Sequence, residues 1–207
     1  MTTRQSTLNF SKKASKIIWK HNKPFNQPRT IIFGVYGQFV PHRKIAAFDL
    51  DGTLIKPKSG STFPKHASDW KFLHKNLKER LSSLIDDGYA VIIISNQNYE
   101  SRPAKLEEWQ RKLEFIGDKL QLEDIPFVCM AATSKDENRK PNVGMWECLE
   151  RYLEAQEVGK PDISQSFYVG DAAGRPRENR RAADHSSDDL NFAKNLDLQF
   201  YTPEEYF

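Results

Sequence analysis

From Ile45 to Asn195 the chain alternates short apolar runs with stretches of helical period, and that order leaves few folds open. Residues 45–50 form a short apolar run, 89–94 is apolar on both faces, as strands buried inside parallel sheets are, and 125–132 and 166–170 read as a third and a fourth strand. Between them, Leu73, Leu77, Leu81, Leu84 and Ile85 share one helix face, after a start at Ser68-Asp-Trp and before a stop at Gly88. Leu106, Trp109, Leu113, Ile116 and Leu120 form a second such stripe, and Met145, Leu149, Tyr152 and Leu153 a third. Residues 188–195 read as a last helix, and 30–36 as a strand or hairpin that opens the domain. The alternation predicts an α/β, Rossmann-like fold, a parallel sheet with helices on both faces.

A length of 207 residues suits one well-buried domain. Its basic charge is gathered at the front: residues 1–48 hold nine Lys/Arg and no Asp or Glu, leaving 22 basic and 28 acidic residues in the rest. The expected organisation is therefore a basic, flexible arm over 1–28 and one domain over 29–207. Such an arm implies a polyanionic partner or a nuclear-import signal, and through it partners in a larger complex. No apolar run reaches membrane-spanning length, so no membrane contact is expected, and a monomer is. The two cysteines, Cys129 and Cys148, are too few and too isolated for a disulfide framework or a zinc set, and read as small buried hydrophobes.

In open α/β sheets, ligands sit beyond the carboxyl ends of the strands. The polar residues fall there. The first parallel strand ends in Asp49-Leu-Asp51-Gly-Thr53, the next in Ser95-Asn96-Gln97, and the last in Gly170-Asp171, while Lys140 precedes the third helix. Hard oxygen donors suit a magnesium ion, assigned to Asp49, Asp51 and Asp171. With that charge in place a carboxylate can attack a phosphomonoester. Asp49 is the expected nucleophile, forming an aspartyl-phosphate. Asp51 is the expected proton donor to the leaving oxygen and later the base for water. Lys140 and Ser95 complete the catalytic set at the phosphoryl oxygens, with Thr53 and Asn96 as further substrate contacts. Gly52 permits the sharp turn.

Asp49-Leu-Asp-Gly-Thr, Ser95, Lys140 and Gly170-Asp171 resemble the four ordered motifs of the haloacid-dehalogenase superfamily. Ser59-Gly60, Phe63-Pro64, Ser68-Asp-Trp, Asn138-Arg-Lys-Pro, Gly144-Met-Trp, residues 169–175 and the final Thr202-Pro-Glu-Glu-Tyr-Phe narrow the resemblance to the phosphatase domain of polynucleotide kinase 3'-phosphatases, over about residues 44–207. The resemblance implies hydrolysis of 3'-phosphate termini at DNA strand breaks, a nuclear setting, and no large cap domain. It also implies that Arg102 and Arg139 contact backbone phosphates, which position a strand without reading it. Arg175, after the fourth motif, joins them as a substrate contact or a brace for Asp171, and Asp184 or Asp189 supplies a further acid behind the metal. No G-x-x-x-x-G-K-[ST] occurs, so 5'-kinase activity is not expected. Two rival readings stand beside this one: a capless phosphatase of a small metabolite, and a non-catalytic DNA-end-binding module.

Overall fold

The computed structural model describes residues 16–20, 25–99, 101–120, 125–178 and 182–207. Seven strands form one sheet in the order β1-β2-β7-β6-β3-β8-β9. They are β1 (Ile18–Trp19), β2 (Ile31–Tyr36), β3 (Ile45–Phe48), β6 (Ala90–Asn96), β7 (Phe127–Ala132), β8 (Phe167–Val169) and β9 (Gln199–Tyr201). The run β7-β6-β3-β8-β9 is parallel, and β2 closes one side by pairing antiparallel with β7, Ile31 opposite Ala132. A hairpin, β4 (Ile55–Lys56) and β5 (Lys71–Phe72), stands apart. The helices are α1 (Leu77–Asp86), α2 (Pro103–Leu120), α3 (Gly144–Ala155), α4 (Asp188–Asn195) and α5 (Pro203–Tyr206). Among the described residues, nothing larger than this hairpin rises between β3 and α1 or between β7 and α3.

β3, β7, β8 and β6 as far as Ile94 are apolar because both faces are covered. Ala46, Phe48, Val91 and Ile93 pack with Leu77, Leu81, Trp109, Leu113 and Ile116 of α1 and α2. Ile45, Ala47, Ile92 and Ile94 pack with Met145, Trp146, Leu149, Phe192 and Ala193 of α3 and α4 on the other side. Each large side chain buried this way contributes about 1.5–3 kcal/mol. Both cysteines lie in these cores, and burial pushes their thiols up, Cys148 to about 12.

Two boundaries differ from expectation. The helix expected from Ser68 begins at Leu77. Asp69 instead accepts the backbone N–H groups of Ser59 and Lys65 and the Ser59 hydroxyl, holding its own loop, and Lys71–Phe72 pairs with the hairpin. Within the stretch 1–28 expected as a flexible arm, Ile17 and Gln27 are buried and Ile18–Trp19 joins the sheet, with Trp19 packed on Trp109. Residues 1–15 lie outside the described residues.

Candidate active site

The parallel strands β3, β6 and β8 deliver Asp49, Ser95 and Asp171 to one edge, and the loop after β7 brings Lys140 to meet them. Lys140 is buried at 2% exposure. Its Nζ lies 2.8 Å from Asp49 Oδ1, 2.7 Å from Asp189 Oδ1, 2.7 Å from the Tyr168 hydroxyl and 2.8 Å from the Ile94 carbonyl oxygen. Asp189, on the first turn of α4, also accepts the Ala172 N–H at 3.0 Å and a bond from the Tyr168 hydroxyl at 3.1 Å. One carboxylate oxygen each of Asp49, Asp171 and Asp189 lies within 4.8 Å of the other two.

Two of these acids pair with one buried ammonium and the third lies beside them, and their electrostatics reflect it. Burial pushes the Asp49 carboxyl well above its usual range; Lys140 opposes this, and Asp189 and Asp171 add to it. Burial, then the Asp189 charge, pushes Asp171 up to about 6. Burial acts to lower the Lys140 ammonium, but Asp189 and Asp49 more than offset it, so it is raised. The excess of negative charge, presented wholly as hard oxygens at the spacing of a cation's coordination shell, fits a divalent metal ion. Asp49, Asp171 and Asp189 are the residues that would hold it.

Close packing fixes the cluster. Gly52 has φ +93°, and a Cβ there would lie 2.5 Å from Asp171 Oδ2. A Cβ at Gly170 would lie 2.5 Å from Asp189 Cγ. Only glycine admits these carboxylates.

Several expected site residues take other places. The Asp51 carboxylate, expected at the metal, is outside the three-acid cluster: Lys112 Nζ donates to its Oδ1 at 3.0 Å and Gln97 Nε2 to its Oδ2 at 3.1 Å. Gln97 also donates to Ser95 Oγ at 2.8 Å, so it ties the loop after β3 to the end of β6. Asn96, expected on substrate, grips the backbone of Lys140 at both N–H and carbonyl. Thr53, also expected on substrate, is fully buried, and its hydroxyl lies 3.5 Å from Asp171 Oδ1. Arg175 is committed within the fold, to both Asp184 oxygens, to Glu204 and to the Asp171 carbonyl, and is a brace rather than a free contact. Asp189 therefore supplies the further acid of the cluster, and Asp184 anchors Arg175. Arg139 donates to the Gln97 carbonyl oxygen at 2.8 Å. Arg102 is exposed at the start of α2, with no side-chain partner among the described residues.

Lys112 and Gln97, the two side chains that donate to Asp51, are the site residues that sequence reasoning passed over. The signal for Lys112 was its place inside the stripe Trp109–Leu113–Ile116, where a solvated lysine does not belong.

Residues 44–207 match the family model for polynucleotide kinase 3 phosphatase. The chain belongs to that family. It is 42% identical over 174 residues to the bifunctional polynucleotide phosphatase/kinase of Schizosaccharomyces pombe, covering 83% of this chain and 39% of that protein. It thus spans about two fifths of that relative's length. A polynucleotide 3'-phosphatase of Saccharomyces cerevisiae is 31% identical over 212 residues, covering 79% of this chain and 87% of its own length. Among solved structures, the D,D-heptose 1,7-bisphosphate phosphatase of B. bronchiseptica, complexed with magnesium and phosphate, shares the fold at TM-score 0.51 and 18% identity, over 77% of this chain and 78% of that one. The haloacid-dehalogenase fold expected from the motifs is the one found.

Proposed function

We propose that this chain hydrolyses 3'-phosphate termini of DNA with Asp49 as nucleophile. The observation that carries the reading is Asp49 itself: a carboxylate at the end of the central strand, 2.8 Å from a buried ammonium and grouped with two further acids, in a chain of this family. Asp49 Oδ attacks phosphorus and the bond from phosphorus to the 3'-oxygen breaks. Asp51 gives its proton to the departing oxygen. The now-ionised Asp51 then takes a proton from water, which attacks the aspartyl-phosphate, freeing inorganic phosphate and restoring Asp49. Lys140 holds Asp49 in line and offsets charge at the phosphoryl oxygens, beside Ser95. A magnesium ion held by Asp49, Asp171 and Asp189 would neutralise the phosphate dianion that otherwise repels the nucleophile. Lys112 and Gln97 hold Asp51 toward the centre, and Asn96 fixes the lysine loop. Arg102 supplies a phosphate contact along the strand. The basic residues of the first 48 positions support a nuclear setting.

The test compares 3'- and 5'-phosphorylated oligonucleotides and small phosphomonoesters, with wild type and Asp49→Asn. Turnover of the 3'-phosphate alone, needing magnesium and abolished in the variant, is expected. Full turnover by Asp49→Asn would sink the nucleophile assignment, and preference for a small phosphomonoester the substrate.

A further inference from the structure

The hairpin and the outer half of α2 enclose a groove of about 500 Å³ that the chemistry above does not use. Its walls carry Trp70, Phe72 and Phe115, and its rims Lys58, Lys71 and Lys119. Phe115 is 39% exposed, unusual for a phenylalanine on a helix whose other large apolar side chains are in the core. The three lysines are exposed and face one acid, Asp118. None of the three has a carboxylate partner among the described residues, and Lys58 lies 6.0 Å from the centre of the Trp70 ring. Trp70 and Phe72 are packed into the core and floor the groove, so the exposed Phe115 ring offers the stacking face, and the lysines the positive charge, that a single nucleic-acid strand requires.

Both walls lead to the reaction centre. The hairpin grows out of the nucleophile loop, where Gly52 N–H donates to the Ile55 carbonyl and Ile55 N–H to the Leu50 carbonyl. On α2, Lys112, Phe115 and Lys119 are spaced three and four residues apart, so they share one side of the helix. Lys112 touches Asp51, and Lys119 lies seven residues on, about 10 Å along the axis at 1.5 Å per residue. A stacked strand rises about 3.4 Å per nucleotide, so the groove falls about three nucleotides from the reacting end.

We propose that this groove binds the single-stranded segment leading to the 3'-phosphate, and that the protein engages several nucleotides of strand. The inference rests on the phosphatase reading and deepens it. The test measures KM and kcat on single-stranded oligonucleotides of about two to about ten nucleotides ending in 3'-phosphate. Wild type, Lys58→Glu/Lys119→Glu and Phe115→Ala are compared, each variant altering exposed side chains. In wild type KM is expected to fall by about tenfold once the strand passes about four nucleotides, at constant kcat. The variants are expected to lose that gain while matching wild type on the shortest substrate. A wild-type KM independent of length, or variants that keep the gain, overturns the proposal and leaves the groove for another occupant such as an acidic peptide. If wild type instead cleaves no 3'-phosphorylated strand of any length, the failure belongs to the phosphatase reading.

Discussion

Replacing Lys112 with methionine removes one ammonium and keeps the length and apolar body of the side chain. The lysine side chain is 5% exposed and Asp51 is 45% exposed, with 3.0 Å between Lys112 Nζ and Asp51 Oδ1. A hydrogen bond to a charged group is worth about 1.5–3 kcal/mol when buried. With one partner half in water, screening leaves the lower end of that range. At 1.36 kcal/mol per decade, loss of Asp51 orientation lowers the rate about ten- to thirtyfold. The loss depends on the leaving group. A 3'-alkoxide needs the Asp51 proton, whereas p-nitrophenolate, a far weaker base, does not. Because kcat/KM covers only the steps through departure of the leaving group, Lys112→Met is expected to lose about ten- to thirtyfold on a 3'-phosphorylated oligonucleotide and under about threefold on p-nitrophenyl phosphate. Thermal unfolding, monitored by circular dichroism, is expected within a few degrees of wild type, since Asp51 is 45% exposed and water solvates its carboxylate once the ammonium is gone. Equal losses on both substrates, or none on either, would refute the placing of Asp51 by Lys112.

Gly170→Ala drives a methyl group to 2.5 Å from Asp189 Cγ, so the carboxylate must leave Lys140. Turnover is expected to fall about a hundredfold or more with an overpacking cost of about 1–3 kcal/mol, read by phosphate release beside thermal melting; retained kcat would mean that Asp189 is dispensable. Asp69 is held down to about 2, first by the Lys65 N–H and then by Ser59. A depressed carboxyl stabilises the fold above its ordinary value near about 3.9 and loses that contribution as pH falls through about 2. The gap in melting temperature between wild type and Asp69→Asn is therefore expected to narrow from about pH 6 to about pH 2.5, and a constant gap would contradict it.

The parallel core of the fold was legible because burial on both faces removes every polar residue from a strand until the strand ends. Asp49, Ser95 and Asp171 stand out as the first polar groups after such runs. Helices α2 and α3 were legible through their apolar stripes. What escaped lacks a period: β1, β4 and β5 have two residues each, too short for any alternation, and β9 has three. Ser68-Asp-Trp has the form of a helix start, yet its aspartate finds donors ten residues back, a long-range choice that local propensity does not register. The same holds at the site. Asn96, Thr53 and Arg175 have the chemistry of substrate contacts, and only the folded distances reveal that their polar groups are already engaged inside the protein. Choosing Asp189 over Asp184 needed the helix start of α4 beneath Gly170.

The sheet order has a consequence for how the protein is made. β3, the strand bearing the proposed nucleophile, lies mid-way along the parallel run between β6 and β8, and it gains its second neighbour only after residue 167 has been synthesised. β2, flanked by the two-residue β1 on one side, waits on the other for β7, nearly a hundred positions downstream. Newly synthesised chains thus present bare apolar strand edges for most of translation, and chaperone dependence should track elongation speed through the stretch between α2 and β8.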